Sequence, residues 1–318
     1  MQRSIALMLI LTVAAAAHAR AAAEPEVFEP RVISGAAHES APAFSPEGRD
    51  LYFGRSSGTA SIILMSHRRG EHWSAPTIAP FSGVWNDMEP AMSPDGRYLI
   101  YVSNRPAITG GEPLDGMING KPQPRLGANL WRVARTATGW GTPERLPDVV
   151  NSSPSTYAPS VAANGDLYFM RPDGAANRFR LFVAALRDGV YQAPTPLPFS
   201  TGDSTDVDPA VLPDGTALVF GSSRHRGKDI DLFIVYRKGD RWGDPVYLGD
   251  TINSPTSDAE PRWGSDHRTL YFSSERLAPV PTPIPVGTAA QVLADMEQWN
   301  NGEYNIWRVD MADRVREP

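Results

Sequence analysis

The 318-residue sequence contains no cysteine, which excludes disulfides, thiolate metal sites and a lipidated cysteine near the N-terminus. It has no excess of basic charge either. With 30 Lys and Arg against 36 Asp and Glu, the net charge is −6, so no cationic stripe is available to neutralise phosphates, and nucleic acid and anionic membrane are unsuited as partners. Histidine is sparse. Beyond His18, the five others (His38, His67, His72, His225, His267) fall at unrelated positions without HxH or HExxH spacing, which leaves catalytic zinc without a ligand set. No Gly-x-Ser-x-Gly elbow or phosphate-cradling glycine loop is present, and the length leaves no room for a hydrolase domain of the prolyl-oligopeptidase type. Long apolar runs are missing apart from Ile5 to Ala17, which follows Arg3 and precedes the small-residue sites Ala17-His18-Ala19 and Ala19-Arg20-Ala21. This run is too short and too alanine-rich for a membrane anchor, and reads as a signal peptide over 1–23. The expectation is a protein of the periplasm or secreted, not membrane-embedded, monomeric, and stabilised by its core alone.

Glycine (27) and proline (30) are abundant, and charged residues make up 21%, a composition suited to many short strands joined by tight turns. Self-similarity at a spacing of roughly 40 to 50 residues points to propeller blades. Five copies are visible: Ala41-Pro42-Ala43-Phe44 to Leu51-Tyr52-Phe53; Glu89-Pro90-Ala91-Met92 to Leu99-Ile100-Tyr101; Ala158-Pro159-Ser160-Val161 to Leu167-Tyr168-Phe169; Asp208-Pro209-Ala210-Val211 to Leu218-Val219-Phe220; and Glu260-Pro261-Arg262-Trp263 to Leu270-Tyr271-Phe272. Each is a hairpin of strands A and B, closed in most copies by a Pro-Asp-Gly-like turn whose glycine supplies a positive φ. A third apolar stretch, strand C, follows in every copy. An aromatic residue and then a proline mark an outer strand D in four of them: Trp73 and Pro76, Trp140 and Pro143, Tyr191 and Pro194, Trp242 and Pro245. Proline there costs no ladder bond.

The fifth copy ends without strand D, whereas Val27 to Ile33 is an orphan strand. The two complete each other, so residues 24–318 are expected to form a single all-β propeller of five four-stranded blades, closed by the N-terminal strand. The alternative of six blades needs a degenerate copy, and no segment supplies one. The pattern resembles the TolB-type, WD40-like propeller repeats of exported bacterial proteins over nearly the whole chain after the signal peptide. It does so most specifically in Ser93-Pro94-Asp95-Gly96 to Tyr101 with Ser103-Asn104-Arg105, and in Phe220 to Arg224 with Asp231-Leu232-Phe233. Blade 3 departs most, with Ala162-Ala163-Asn164-Gly165 at its turn, and no TolB-like α/β domain precedes the repeats. The resemblance therefore implies the propeller but not TolB's role.

Loops entering strand A and leaving strand B share one end of each antiparallel blade, the top. Both long insertions, Pro106 to Asn129 and Leu277 to Tyr304, rise from it, and long loops on a rigid scaffold commonly carry binding. The first is Gly- and Pro-rich and expected to be mobile. The second is expected to hold a helix from Ala289 to Trp299, N-capped by Thr288. Its stripe of Val292, Leu293, Met296 and Trp299 either packs onto the ring or forms a lid over the channel.

Two acidic sets flank the repeat proline. Glu89, Asp208 and Glu260 precede it directly and occur together with Arg105, Arg224 and Arg276 after strand B, which suggests ion pairs within a blade. Three residues before the proline stand Glu39, Asp87, Asp206 and Asp258, with Thr156 in blade 3. These have no matching cation in the repeat, so they read either as turn caps or as ligands ringing the channel mouth for a divalent cation or a small polar or carbohydrate group. With Tyr157, the three arginines and Trp299, they form the candidate binding set. The expected function is non-catalytic binding of a periplasmic or envelope protein, or of such a small ligand, through the top face, with no resident cofactor. The alternative is a glycoside hydrolase-like enzyme using mouth carboxylates, although acids that recur blade after blade look like architecture.

Overall fold

The computed structural model describes residues 23–315 apart from 59, 119–120, 175–176 and 228. The expected signal peptide, except for Ala23, lies outside them. Five antiparallel sheets stand around a central channel. In blade 2 the order runs from inner to outer as Asp87–Met92, Tyr98–Ser103, Asn129–Thr136 and Glu144–Arg145. Blades 1, 3 and 4 repeat this plan from His38–Phe44, Tyr157–Val161 and Asp206–Val211. The recurring aromatics Trp73, Trp140 and Trp242 close two-residue hairpins on strand C, and the short outer strand follows the proline.

Blade 5 is completed as its sequence requires. Glu26–Val27 pairs with Asn305–Asp310 through Glu26↔Arg308 and Val27↔Trp307, and the Phe28 N–H continues the ladder to the Ile306 carbonyl at 2.8 Å. The Phe28 ring lies edge-on to Tyr271 at 5.0 Å, so the closing strand is held by burial as well as by backbone bonds.

Five hydrophobic clusters form the core, one between each pair of neighbouring blades. This explains why strand B is apolar throughout rather than alternating: Leu51, Tyr52 and Phe53 are all buried, because both faces of a blade meet another blade. A polar fastening recurs with the same period. The N–H groups of Ile63, Leu130, Leu181, Leu232 and Ile306, all in strands C, donate to the side chains of Ser82, Asn151, Ser200, Asn253 and Ser34.

At the bottom, the A-to-B turns carry Gly48, Gly96, Gly165 and Gly215 with φ between +67 and +85°, and blade 5 places His267 in the same left-handed region. Higher in strand A, a bulge interrupts the register in every blade. Within each bulge the residue before proline is left-handed: Ala41, Glu89, Ala158, Asp208 and Glu260 have φ of 47, 50, 51, 55 and 50°.

The first insertion contains a hairpin, Gly116–Ile118 with Lys121–Gln123, tied to blade 3 by Met117 N–H donating to Ser155 and by Tyr157 OH donating to the Leu126 carbonyl. In the second, the helix spans Ala289–Met296 and stops short of Trp299. Thr288 precedes it, but its hydroxyl donates to the Pro285 carbonyl and caps no helical N–H. No residue of the helix is buried, and Leu293 and Met296 are 55% and 52% exposed, so these two members of the expected stripe are not packed onto the ring, whereas Trp299 packs against its core. The helix is held by Asp295, which pairs with Arg31 and accepts from Trp299 Nε1, while Trp299 packs edge-on to Trp307. Among the described residues no helix is long and apolar enough to cross a membrane.

Candidate functional site

Strand A of each blade lines the channel, and the bulge decides where its acids go. Asp87, Asp206 and Asp258 lie opposite Ser103, Ser222 and Ser274 on strand B, and the arginine two residues beyond each serine folds back onto the aspartate. Arg224 meets Asp206 and Arg276 meets Asp258 at 2.8 Å, and Arg105 lies 3.5 Å from Asp87. Blade 1 uses Glu39 and Arg55, directly opposite in register, at 2.8 Å. All four carboxylates are buried. Loop serines complete the arrangement, with Ser82, Ser200 and Ser254 donating to Asp87, Asp206 and Asp258. Each arginine also donates to a loop carbonyl, of Ile33, Phe81, Phe199 or Ile252.

The expected pairing is thereby exchanged: the arginines hold the acids three residues before the proline, not Glu89, Asp208 and Glu260. The left-handed residue breaks the A-to-B register at the pre-proline position, which turns its side chain away from the arginine beyond strand B. Glu39, Asp87, Asp206 and Asp258 do have cations, and they are enclosed instead of ringing an open mouth. Burial pushes Glu39 up to about 7 against the Gly35 N–H and Arg55, and raises Asp87 against Ser103 and Arg105.

Glu89 and Asp208 turn toward the neighbouring blade, and Glu260 toward strand B of its own blade. Glu89 accepts from the Ala158 N–H at 2.6 Å, Asp208 from the Glu260 N–H at 3.1 Å, and Glu260 from the Ser273 hydroxyl at 2.8 Å. Burial pushes Glu89 and Asp208 well above the usual carboxylate range, and the charges of the other acids add to it. The backbone N–H each accepts and the Arg262 charge oppose the rise.

Arg262 itself breaks the repeat. At its position the other blades carry Ala43, Ala91, Ser160 and Ala210, and all five line a cavity of about 90 Å³ at the bottom of the channel. The sequence signal was a single large cation in a column of small residues. It is read by aligning the residue after the repeat proline instead of the acids before it.

Of the remaining candidates, the Tyr157 hydroxyl is pushed up to about 12, mainly by burial and then by Glu89. Trp299 sits at the foot of the second insertion, edge-on to Trp307. Among the described residues no three His, Cys, Asp or Glu side chains are grouped so as to hold a metal ion.

The top face has a distinct character. Of thirteen exposed large apolar side chains among the described residues, only Ile78, Val190 and Val246 lie elsewhere. The other ten are Val84 in the loop entering blade 2, Ile108, Met117 and Leu126 in the first insertion, and Leu277, Val280, Ile284, Val286, Leu293 and Met296 in the second. Between Val84, Trp85, Pro113, Pro124 and Leu126 runs a groove of about 570 Å³.

No protein family and no curated protein matches the chain. Similar solved structures include a TolB of Agrobacterium tumefaciens, at 17% identity and TM-score 0.47, covering 79% of this chain and 77% of that one. TolB of Acinetobacter baumannii is 18% identical with TM-score 0.42, covering 71% of this chain and 46% of that one. A microbial sialidase, Hz136, is 14% identical with TM-score 0.46, covering 75% and 53%. By its own strand pairing the chain is a closed five-bladed β-propeller, and TolB-type propellers are among the solved structures similar to it.

Proposed function

We propose that the chain is an exported, non-catalytic binding propeller that docks a periplasmic or envelope protein on its top face. The observation that carries this reading is the concentration of exposed apolar side chains on the two insertions and the adjoining loop. Scattered exposed hydrophobics need no explanation, whereas their concentration on one face of a β-scaffold is a mark of an interaction surface. The state of the carboxylates supports it from the other side. Asp87, Asp206 and Asp258 are engaged by arginine and serine, and Glu89 and Asp208 are buried. A glycosidase, by contrast, needs two carboxyl groups that reach a sugar in an open funnel.

Photo-crosslinking in cells tests the proposal. A benzoylphenylalanine at Leu293, Ile284 or Val84 is expected to trap a discrete envelope protein, while the same probe at Val190 or Val246 traps none. Equal labelling from both sets of positions, or none from the top face, overturns it.

A further inference from the structure

The helix Ala289–Met296 of the second insertion has two unlike sides. One is turned to the ring. Val292 is half-buried there, Asp295 pairs with Arg31 and accepts from Trp299 Nε1, and Trp299 packs against the core between blades 4 and 5. The other side carries Leu293, Met296 and Glu297, at i, i+3 and i+4, and all three are exposed. Val286, just before the helix, is fully exposed as well.

The apolar strip has an acidic border. From Leu277 to Tyr304 the insertion contains Asp295, Glu297 and Glu303 but no lysine or arginine, and Arg31 from outside it answers only Asp295. Glu297 caps the C-terminal end of the helix, and the last turn holds no basic residue. The helix dipole adds partial negative charge at that end. A carboxylate there stands against its own helix and in favour of a cation from outside. The first insertion differs, because its Glu112 and Asp115 are matched in number by Lys121 and Arg125.

An apolar strip with such a border selects among partners. An anionic surface is repelled, and a neutral apolar segment would desolvate Glu297 and the helix end without supplying a counter-charge. A segment whose apolar side chains are flanked by lysine or arginine meets both requirements. We infer that the second insertion receives a basic amphipathic segment of the partner protein. Its apolar side chains pack on Val286, Leu293 and Met296, and a lysine or arginine lies at the C-terminal end of the helix beside Glu297. This rests on the reading of the top face as a protein-docking surface and states the chemistry of what docks there.

Two experiments test it and separate its failure from that of the docking reading. A phage library of random peptides, selected on the signal-free protein, is expected to yield apolar peptides of net positive charge. A synthetic peptide of the enriched sequence should bind saturably, and at least about tenfold more weakly to Glu297→Lys/Glu303→Lys and to Leu293→Ser. These positions are exposed, so the variants should melt as the native chain does. In cells, benzoylphenylalanine at Ile284 is compared in the native chain and in Glu297→Lys/Glu303→Lys, and the adduct is expected to be lost only in the charge-reversed chain. An equal adduct in both would overturn this inference and leave docking standing, whereas no adduct in either would overturn both. No enrichment, enriched peptides without net positive charge, binding insensitive to the charge reversal or to Leu293→Ser, or flotation of the protein with phosphatidylcholine vesicles would likewise overturn it.

Discussion

Two kinds of buried carboxylate sit within three residues of each other in this repeat, and they respond to neutralisation in opposite ways. Asp206 is fully engaged: Ser200, Ser222 and Arg224 all donate to it. Asp206→Asn removes the charge that these donors are arranged around and leaves the partly buried Arg224 without its counter-charge. The expected cost is on the order of 3 kcal/mol, read from urea denaturation. Glu89 instead faces Asp208 and Glu260 with Arg262 as the opposing charge, and its folded-state pKa is raised, first by burial. Because Glu89 and Asp208 are both raised above the value of roughly 4 that carboxylates have in an unfolded chain, the folded state binds more protons than the unfolded state once the pH exceeds that value. The stability they contribute is complete below about pH 4 and is lost as the pH rises through their folded values. The melting temperature is therefore expected to fall between pH 5 and pH 8. Glu89→Gln, which can still accept from the Ala158 N–H, should flatten that fall and raise the melting temperature at pH 8. A wild-type profile that rises over this range would contradict the assignment of the trio as self-repelling.

At the scale of elements, the bulge before each repeat proline is what separates these two roles. It depends on a non-glycine residue holding a left-handed backbone, a conformation that costs roughly 1–2 kcal/mol for an L-residue, five times over. In blades 1 and 3 the residue is alanine, whose side chain offers no charge to compensate. Ala158→Gly is therefore expected to stabilise the protein by up to about 1 kcal/mol, whereas Ala217→Gly, at the start of a regular strand B, should destabilise it by roughly 0.5–1 kcal/mol. Calorimetric melting of the two variants checks the contrast, and two losses of equal size would remove the bulge strain from the account. The same feature marks how far the sequence could be read. The hairpins were legible because Pro-Asp-Gly turns and aromatic strands are local signals. The bulge was not, because four of its five left-handed residues are alanine or glutamate, which carry no preference for φ above zero, and without it the register paired the arginines with the wrong acids. The helix of the second insertion was legible in position but not in packing, since whether Leu293 and Met296 find a neighbour depends on the tertiary arrangement and not on their spacing.

At the scale of the whole molecule, closure joins the first described strand to the last. Residues Glu26 to Phe28 supply the outer ladder of blade 5, and Phe28 fills the seam between blades 5 and 1 against Phe44, Trp73 and Tyr271. This was legible because a missing strand at one end and an orphan strand at the other are complementary, and an open array would leave two edges free to aggregate. Each hydrophobic cluster joins a blade to its neighbour, so stability depends on the ring being complete and not on where the chain is cut. The geometry makes that testable, since Ala23 and Asp310 line the same surface pocket, close enough for a short linker to bridge. A chain beginning at His38, with residues 23–37 attached behind Val315 through a glycine-serine linker, is expected to unfold in one cooperative transition near the native temperature. A chain beginning at His38 without them should lose more than Phe28→Ala, which alone costs about 3–5 kcal/mol, and should associate through the exposed edge of Asn305–Asp310. If the truncated chain melted as the native one does, the N-terminal strand would be an ornament on a ring held by other contacts. If the permuted chain failed to fold while Phe28→Ala remained stable, the order of the chain, and not closure, would be what the fold requires.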